Sequence, residues 1–199
     1  MSTIITSIDP GSPAMRAGLQ PGQQLLSING HTVVDVLDYR FYGYDPVSHL
    51  SLKNKDGSTQ KLTIHKAEGE DLGLNFDSYL MDEMRSCANH CIFCFVDQMP
   101  PGMRQTLYFK DDDARLSFLQ GNYITLTNLT EREAQRIIDL RISPINVSVH
   151  TTDPQLHCTM LGNKNAVRSL DYIRAFCKAG IVMNGQIVVC PGWNDGDQL

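Results

Sequence analysis

Segments typical of strands alternate with segments typical of helices from residue 77 onward. The strand-like segments are 77–84, 123–129, 144–151 and 181–192, and the helix-like segments are 112–122, 130–142 and 165–180. Repeated strand, helix, strand order predicts right-handed crossovers and a parallel sheet that is buried on both faces. The sequence therefore predicts an α/β fold for this part of the chain.

Local signals mark the ends of these helices. Thr130 and Glu133 have the spacing of a capping box, and Gly180 is suited to end the helix at 165–180. Asp112 or Asp113 is predicted to cap the helix at 112–122, and the run of three aspartates is interpreted as a solvated helix start rather than a metal site.

The helix at 165–180 has an amphipathic pattern. Its predicted inward face holds Val167, Leu170, Ile173 and either Phe176 or Cys177.

The first 66 residues have a different, β-rich pattern. A short strand at 4–9 precedes helical turns at 11–19, and a strand at 24–33 contains the turn dipeptide Asn29-Gly30. Apolar residues at helical spacing follow at 33–42 (Val33, Val36, Leu37 and Phe41), and 49–67 reads as a hairpin. The acidic, glycine-containing stretch at 67–73 resembles a boundary, so we predict domains at 1–70 and 71–199.

Composition excludes several classes of function. The formal net charge is −5, which gives no general attraction to nucleic acid or to anionic lipid. The N-terminal sequence has no signal-peptide pattern, and no apolar run approaches the ~20 residues that span a bilayer. A cytoplasmic protein without a membrane partner is expected.

Three of the six cysteines lie in one short stretch, "CANHCIFC", at positions 87, 91 and 94. In the expected compartment cysteines are thiols or metal ligands rather than disulfides. Cys158, Cys177 and Cys190 are isolated and are interpreted as small buried residues.

Two metal chemistries suit the cysteine trio. A structural zinc site needs a fourth protein ligand, for which His90, His150, His157 or Cys158 are the candidates. A 4Fe–4S cluster takes one external ligand on each iron, so three cysteines leave one iron open for a substrate or cofactor.

The cysteine spacing resembles the signature of the radical S-adenosylmethionine (radical SAM) superfamily. The resemblance implies that Cys87, Cys91 and Cys94 bind a 4Fe–4S cluster and that S-adenosylmethionine chelates the fourth iron. It also implies that the reduced cluster cleaves the sulfonium and starts radical chemistry, and that Phe93 lies near the adenine. An electron donor such as a flavodoxin or a ferredoxin is then required.

Further cofactor-binding residues follow from the same resemblance. Many members of the superfamily have a Gly-Gly-Glu-like segment where this chain has "TLTNL", so Asn128 is predicted to contact the cofactor. Ser148 and His150 alternate with valines on the strand at 144–151 and are predicted to face a barrel interior. Gln186 is a weaker candidate, and a structural histidine is the alternative for His150.

The N-terminal part resembles a bacterial PDZ domain through "SPAMRAGLQPGQQLLSINGHTVVD". That family binds an extended peptide whose carboxylate is held by a loop, and "LGLNF" at 72–76 is the candidate loop in a permuted order. The alternative is a linker strand. A peptide or protein ligand of the PDZ-like domain is the partner that this resemblance implies.

Together the resemblances cover nearly the whole chain and imply a PDZ-like module joined to a partial (β/α) radical SAM barrel. The ~120 residues after the PDZ-like part are fewer than a full barrel needs, so a C-terminal truncation is expected, the alternative being a second subunit that completes the sheet. The predicted function is a radical SAM iron–sulfur enzyme that acts on an unknown substrate. The alternative is a peptide-binding adaptor whose second domain holds a non-catalytic metal.

Overall fold

The computed structural model describes residues 3–198 and contains two compact units, Met1–Glu83 and Met84–Leu199. The first unit is β-rich and the second is mixed α/β. The predicted domain boundary at residue 70 lies before this division and stays a prediction. Among residues 3–198, no helix combines the length and the apolar character needed to cross a bilayer.

Unit 1 contains a four-stranded antiparallel sheet and a separate pair of short strands. Its elements are β1 (Ser7–Ile8), α1 (Pro13–Arg16), β2 (Gln24–Ile28), β3 (His31–Thr32), α2 (Val36–Tyr42), β4 (Val47–Lys53), β5 (Thr59–His65) and β6 (Leu74–Asn75). The sheet has the order β3-β2-β4-β5, and β1 pairs with β6. The predicted hairpin and the predicted helical turns are confirmed.

Two short-range signals set the shape of unit 1. Asn29 and Gly30 both have positive φ, which lets the chain reverse between β2 and β3. Asp35 caps α2 by accepting a hydrogen bond from the amide of Leu37 at 2.9 Å. Val36 and Leu37 are buried as predicted, whereas Phe41 is 50% exposed, so its predicted place on the buried side is wrong.

Unit 2 contains α3 (Ala114–Gln120), α4 (Glu131–Asp139), β7 (Ile145–Ser148), α5 (Pro154–Leu161), α6 (Val167–Lys178) and β8 (Met183–Gln186), with 3-10 turns at Gln105–Tyr108 and Gly196–Gln198. Strands β7 and β8 are parallel, and Ile124 forms a parallel bridge to Val147 on β7. The predicted parallel pairing is therefore confirmed. The predicted burial of both faces is wrong for β8, because Asn184, Gly185 and Gln186 are exposed, and these strands do not establish a barrel.

The predicted strands at 77–84 and 123–129 are wrong in the structure. Met81 and Leu126 have positive φ, which interrupts an extended backbone. Only Ile124 in the second segment joins the sheet, through a single bridge.

Helix α5 was not predicted, although its ends carry ordinary signals. Asp153 caps its N-terminus, Pro154 occupies its first turn and Gly162 ends it with a left-handed backbone. In α6, Leu170 and Phe176 are buried as predicted. Val167 is 36% exposed and Cys177 is exposed, so the inward placement of Val167 and the buried placement of Cys177 are wrong.

Replacing Thr130 by Ala should lower the free energy of unfolding by about 1 kcal/mol. Thr130 accepts a hydrogen bond from the Glu133 amide, and Glu133 accepts one in return from the Thr130 amide at 2.9 Å, which completes the capping box of α4. Urea denaturation of the two proteins measures the difference. The Thr130→Ser variant keeps the hydroxyl and should match the parent, and an equal loss in both variants would contradict the capping explanation.

Candidate functional site

The cysteine loop, residues 87–98, contains no helix or strand, and its backbone follows a series of turns. The Cys94 amide donates to the Cys91 carbonyl at 3.0 Å, and the Gln98 amide donates to the Cys94 carbonyl at 3.2 Å. At the start of the loop the Cys87 amide donates to the Lys110 carbonyl at 2.6 Å. All three thiols are half-buried.

The three thiols interact electrostatically with one another. Burial raises the pKa of Cys87, and the neighbouring Asp112 and Cys94 add to this effect while the Asn89 amide and Lys110 oppose it. Burial, followed by the charges that Cys87 and Cys94 would carry, raises the pKa of Cys91 to about 12. A negative charge on a neighbouring thiol therefore disfavours ionisation of Cys87 and Cys91, which is the situation that a bound cation relieves.

The C-terminal end of α5 supports the loop from one side. The His90 amide donates to the Leu161 carbonyl, and the Ile92 amide donates to the Met160 carbonyl, each at 2.9 Å. Gly162 approaches so closely that a Cβ atom there would lie 2.4 Å from the carbonyl oxygen of His90. Glycine at this position permits both its left-handed backbone and the close approach of the loop.

Asn89 anchors the loop from within, and its side chain is only 1% exposed. Its Nδ2 donates to the Thr125 hydroxyl at 3.0 Å, and its Oδ1 accepts from Thr127 at 3.0 Å and from the Asn163 side chain at 2.7 Å. This network joins the cysteine loop to the segment that follows Ile124 and to the end of α5.

The network continues to Asp112, which is 2% exposed. Its carboxylate accepts from both the amide and the hydroxyl of Thr125 at 2.6 Å, and burial raises its pKa to about 6. Asp113 is 1% exposed, caps α3 and binds the Arg115 guanidinium. The interpretation of the aspartate run as a solvated helix start is therefore wrong, although the cap itself is confirmed.

Sequence reasoning missed Asp112 as a partner of the site. Only one of the three consecutive aspartates is needed to cap α3. The presence of two more was the available signal that one of them has another role. The burial of Asp112 depends on Thr125, which is 13 positions away, so the run alone does not reveal the contact.

The predicted cofactor residue Asn128 lies next to the cysteine loop. Its Nδ2 donates to the Asp112 carbonyl at 3.0 Å and to the Ser86 carbonyl at 3.4 Å. Within residues 3–198 its Oδ1 atom forms no hydrogen bond, which leaves a neutral acceptor on that side chain.

Phe93 and His150 are brought together by the fold. Their ring centroids are 4.4 Å apart, and the ring planes are inclined by 57°. His150 follows the end of β7, is 2% exposed and has positive φ. Its Nδ1 accepts a hydrogen bond from the Val188 amide at 3.1 Å, which places the ring proton on Nε2. Burial, with a smaller effect from His157, lowers its pKa to about 4, so the ring is neutral at physiological pH.

The other two sheet residues are less enclosed. Ser148 is half-buried and is paired in register with Gln186 on β8, which is exposed. The roles of Phe93, Asn128, Ser148 and His150 toward a cofactor stay predictions.

The histidines that a zinc site would recruit have other partners. His157 is buried and uses both ring nitrogens, with Val149 O at 3.0 Å and the Ser169 hydroxyl at 2.9 Å. His90 is exposed, and its amide rather than its ring ties it to α5. In the part of the chain that the structure describes, no three His, Cys, Asp or Glu side chains converge in a way that would hold a single ion.

In unit 1, the segment 72–76 lies beside α2. Ser7 pairs with Asn75 in the short ladder of β1 and β6. The Gly73 amide donates to the Asp71 carboxylate at 2.7 Å, and the Leu74 amide donates to the Tyr39 hydroxyl at 3.3 Å. A cavity of about 250 Å³ lies between α2 and β6.

An α/β unit that presents three neighbouring thiols in one loop, preceded by a β-rich unit, defines the general class of the chain. Comparison with protein families assigns it further. Residues 66–199 match the model of a Radical SAM-like domain, and residues 4–53 match that of a PDZ domain. The chain therefore belongs to the Radical SAM-like domain family and has a PDZ domain at its N-terminus, as the sequence predicted. A comparison with curated proteins gave no match.

The Asp112→Asn variant should lose the pH dependence that the buried carboxyl contributes. Because the pKa of Asp112 is about 6 in the folded protein, above the ordinary value of 3.8, protonation favours folding. Its contribution to stability is fully present below pH 3.8 and is lost as the pH rises through 6. Urea denaturation of the metal-free proteins between pH 3.5 and 7 measures this.

The stability of the parent relative to Asp112→Asn should fall by roughly 2 to 3 kcal/mol over that pH range. Taking the difference between the two proteins cancels the titration of other groups. A stability of the parent relative to Asp112→Asn that stays constant, or that rises with pH, would contradict the assignment.

Proposed function

We propose that unit 2 is the cluster-binding core of a radical SAM enzyme, in which Cys87, Cys91 and Cys94 each bind one iron of a 4Fe–4S cluster. The observation that supports this most directly is the trio of mutually interacting, half-buried thiols in a chain of this family. S-adenosylmethionine would bind at the fourth iron. The substrate is unknown.

The residues present fit such a cluster. A 4Fe–4S cluster bonds each cysteine to a different iron, so its three cysteine ligands do not have to converge on a single ion, and thiols spaced along one loop can serve. The raised pKa values of Cys87 and Cys91 belong to the metal-free thiols, and the positive charge of iron favours their deprotonation. The anchoring of the loop by Asn89 and by α5 fixes its shape before any metal binds.

The bound cluster would supply the electron that breaks the sulfonium bond of S-adenosylmethionine. The chain's own residues would orient that cofactor. The half-buried Phe93 ring offers a surface on which an adenine can pack, and the buried His150 ring packs against Phe93 and carries its proton on Nε2, where it can donate to the cofactor. The free Oδ1 of Asn128 can accept from the methionyl amine, and Ser148 offers a hydroxyl on the neighbouring strand.

We further propose that Ile124, β7 and β8 belong to a partial (β/α) barrel, because parallel strands with crossover helices are its repeating unit. His150 and the end of β8 lie at the carboxyl ends of these strands, where barrel enzymes place functional side chains. On this proposal the domains are 1–70 and 71–199, and a flavodoxin or a ferredoxin is the electron donor.

The second candidate function is that of a peptide-binding adaptor, which the cavity between α2 and β6 favours. The Gly73 and Leu74 amides already donate to Asp71 and Tyr39, so a peptide carboxylate would have to displace those partners. A variant with Cys87, Cys91 and Cys94 all replaced by Ala separates the two functions. Unchanged cellular function of that variant would support the adaptor.

Anaerobic reconstitution of the full chain should give a brown protein with about four irons per chain. Adding S-adenosylmethionine to the reduced protein should shift its electron paramagnetic resonance spectrum, because the cofactor would bind the open iron. Iron analysis and that spectrum are the two measurements.

Replacement of Cys87, Cys91 or Cys94 by Ala should abolish the cluster signal, whereas Cys177→Ala should retain it, since Cys177 is exposed on α6. A colourless protein with stoichiometric zinc would overturn the proposed function. A cluster signal that persists in each of the three single cysteine variants would also overturn the proposed function.

A further inference from the structure

Lys110 contacts the cysteine loop at three places along its sequence. Its backbone carbonyl accepts from the Cys87 amide at 2.6 Å. Its ammonium group donates to the Asn89 carbonyl at 2.8 Å and to both carboxylate oxygens of Asp97 at 3.0 Å. The Lys110 side chain is 18% exposed and the Asp97 side chain is 42% exposed, so the bond to the Asn89 carbonyl is partly buried, whereas the ion pair with Asp97 faces solvent.

These contacts span the whole cysteine trio. Asn89 lies between Cys87 and Cys91, and Asp97 lies three residues after Cys94. A loop of this length without regular structure has many conformations, and a single ammonium group that binds both of its ends excludes most of them.

We propose that Lys110 is a positioning residue of the cluster site: its ammonium group holds residues 87–97 in the shape that presents the three thiols, and it sets a positive charge beside them. The part that concerns the shape of the loop applies to the metal-free chain. The part that concerns charge rests on the proposed function.

The charge matters because the site is otherwise negative. Thiolate ligands make a 4Fe–4S cluster anionic, and the Asp97 carboxylate, which also interacts with the Cys94 thiol, adds a further negative charge nearby. The Lys110 ammonium offsets both. A nearby cation favours the reduced state of a cluster, since reduction adds an electron to an already negative group.

Amide hydrogen exchange of the metal-free full chain tests the positional part. In Lys110→Met, the amides of residues 87–98 should exchange roughly tenfold faster, because charge-assisted hydrogen bonds are lost. Exchange in α6 should not change. Lys178→Met, which alters an exposed lysine at the end of α6, is the matched control and should leave the cysteine loop unaffected.

The midpoint potential of the reconstituted cluster tests the charge. Lys110→Met removes a positive charge and should make the potential more negative, whereas Asp97→Asn removes a negative charge and should make it less negative. Lys110→Arg retains the charge and should stay nearer to the parent than Lys110→Met. If Lys110 had only a structural role, Lys110→Met and Asp97→Asn would shift the midpoint potential in the same direction, because both substitutions loosen the same loop.

Unchanged exchange of residues 87–98 in Lys110→Met would overturn the inference, and so would potentials that shift in the same direction in Lys110→Met and Asp97→Asn. If Lys110→Met fails to fold by circular dichroism, Asp97→Asn takes its place in the exchange measurement, with the same expected increase. If the parent protein assembles no cluster, the proposed function is overturned, while the exchange result still decides whether Lys110 holds the loop.

Discussion

The hydrogen bonds of the buried Asn89 side chain are the interaction on which the candidate site depends most. The cysteine loop contains neither a helix nor a strand, so its position comes from backbone hydrogen bonds to Lys110 and to the end of α5, together with side-chain contacts. Asn89 uses both ends of its amide for this, toward Thr125 on one side and toward Thr127 and Asn163 on the other. A buried polar network of this kind favours one arrangement, because moving Asn89 would leave the buried partners of its amide unpaired.

The same network explains why a carboxyl group can be buried beside a site that would hold anionic thiolates. Asp112 receives two hydrogen bonds from Thr125, which offset part of the loss of hydration. They do not offset all of it, since burial still raises the pKa of Asp112. Asp112 also raises the pKa of Cys87, so a negative charge here opposes thiolate formation while Lys110 assists it. Groups outside the cysteine motif therefore modify the charge state of the loop, in addition to burial and the neighbouring thiols.

The features that could be predicted from the sequence were the local ones. The capping box at Thr130, the cap at Asp113 and the turn at Asn29-Gly30 each depend on residues within four positions of one another, and the structure has all three. The strand expected at 123–129 failed for the opposite reason. Its composition favours a strand, but the bonds that Thr125 makes with Asp112 and Asn89 come from remote segments and bend the chain out of the sheet.

For the site itself, the sequence identified the cysteine spacing but not what supports it. The spacing is a local pattern, whereas the close approach of Gly162 to His90 joins residues that are 72 positions apart. Neither the helix that Gly162 ends nor the need for a residue without a side chain against the loop was predicted from the sequence. The pairing of Phe93 with His150 is likewise a property of the folded sheet, because it requires β7 to end beside the loop.

Unit 1 resembles a PDZ domain in sequence, but the amides of its candidate carboxylate-binding loop already have partners within the chain. A loop that captures a peptide carboxylate must offer amide hydrogens that have no stronger partner. Here the Gly73 amide already donates to a carboxylate, that of Asp71, and the Leu74 amide donates to the Tyr39 hydroxyl. Asp71 and Tyr39 also bond to each other at 2.8 Å, so displacing one disturbs the other. The carboxylate of an incoming peptide would have to replace the Asp71 carboxylate at the Gly73 amide, and the two groups have equal charge. The peptide would therefore bind only if its side chains gained additional contacts in the adjoining cavity.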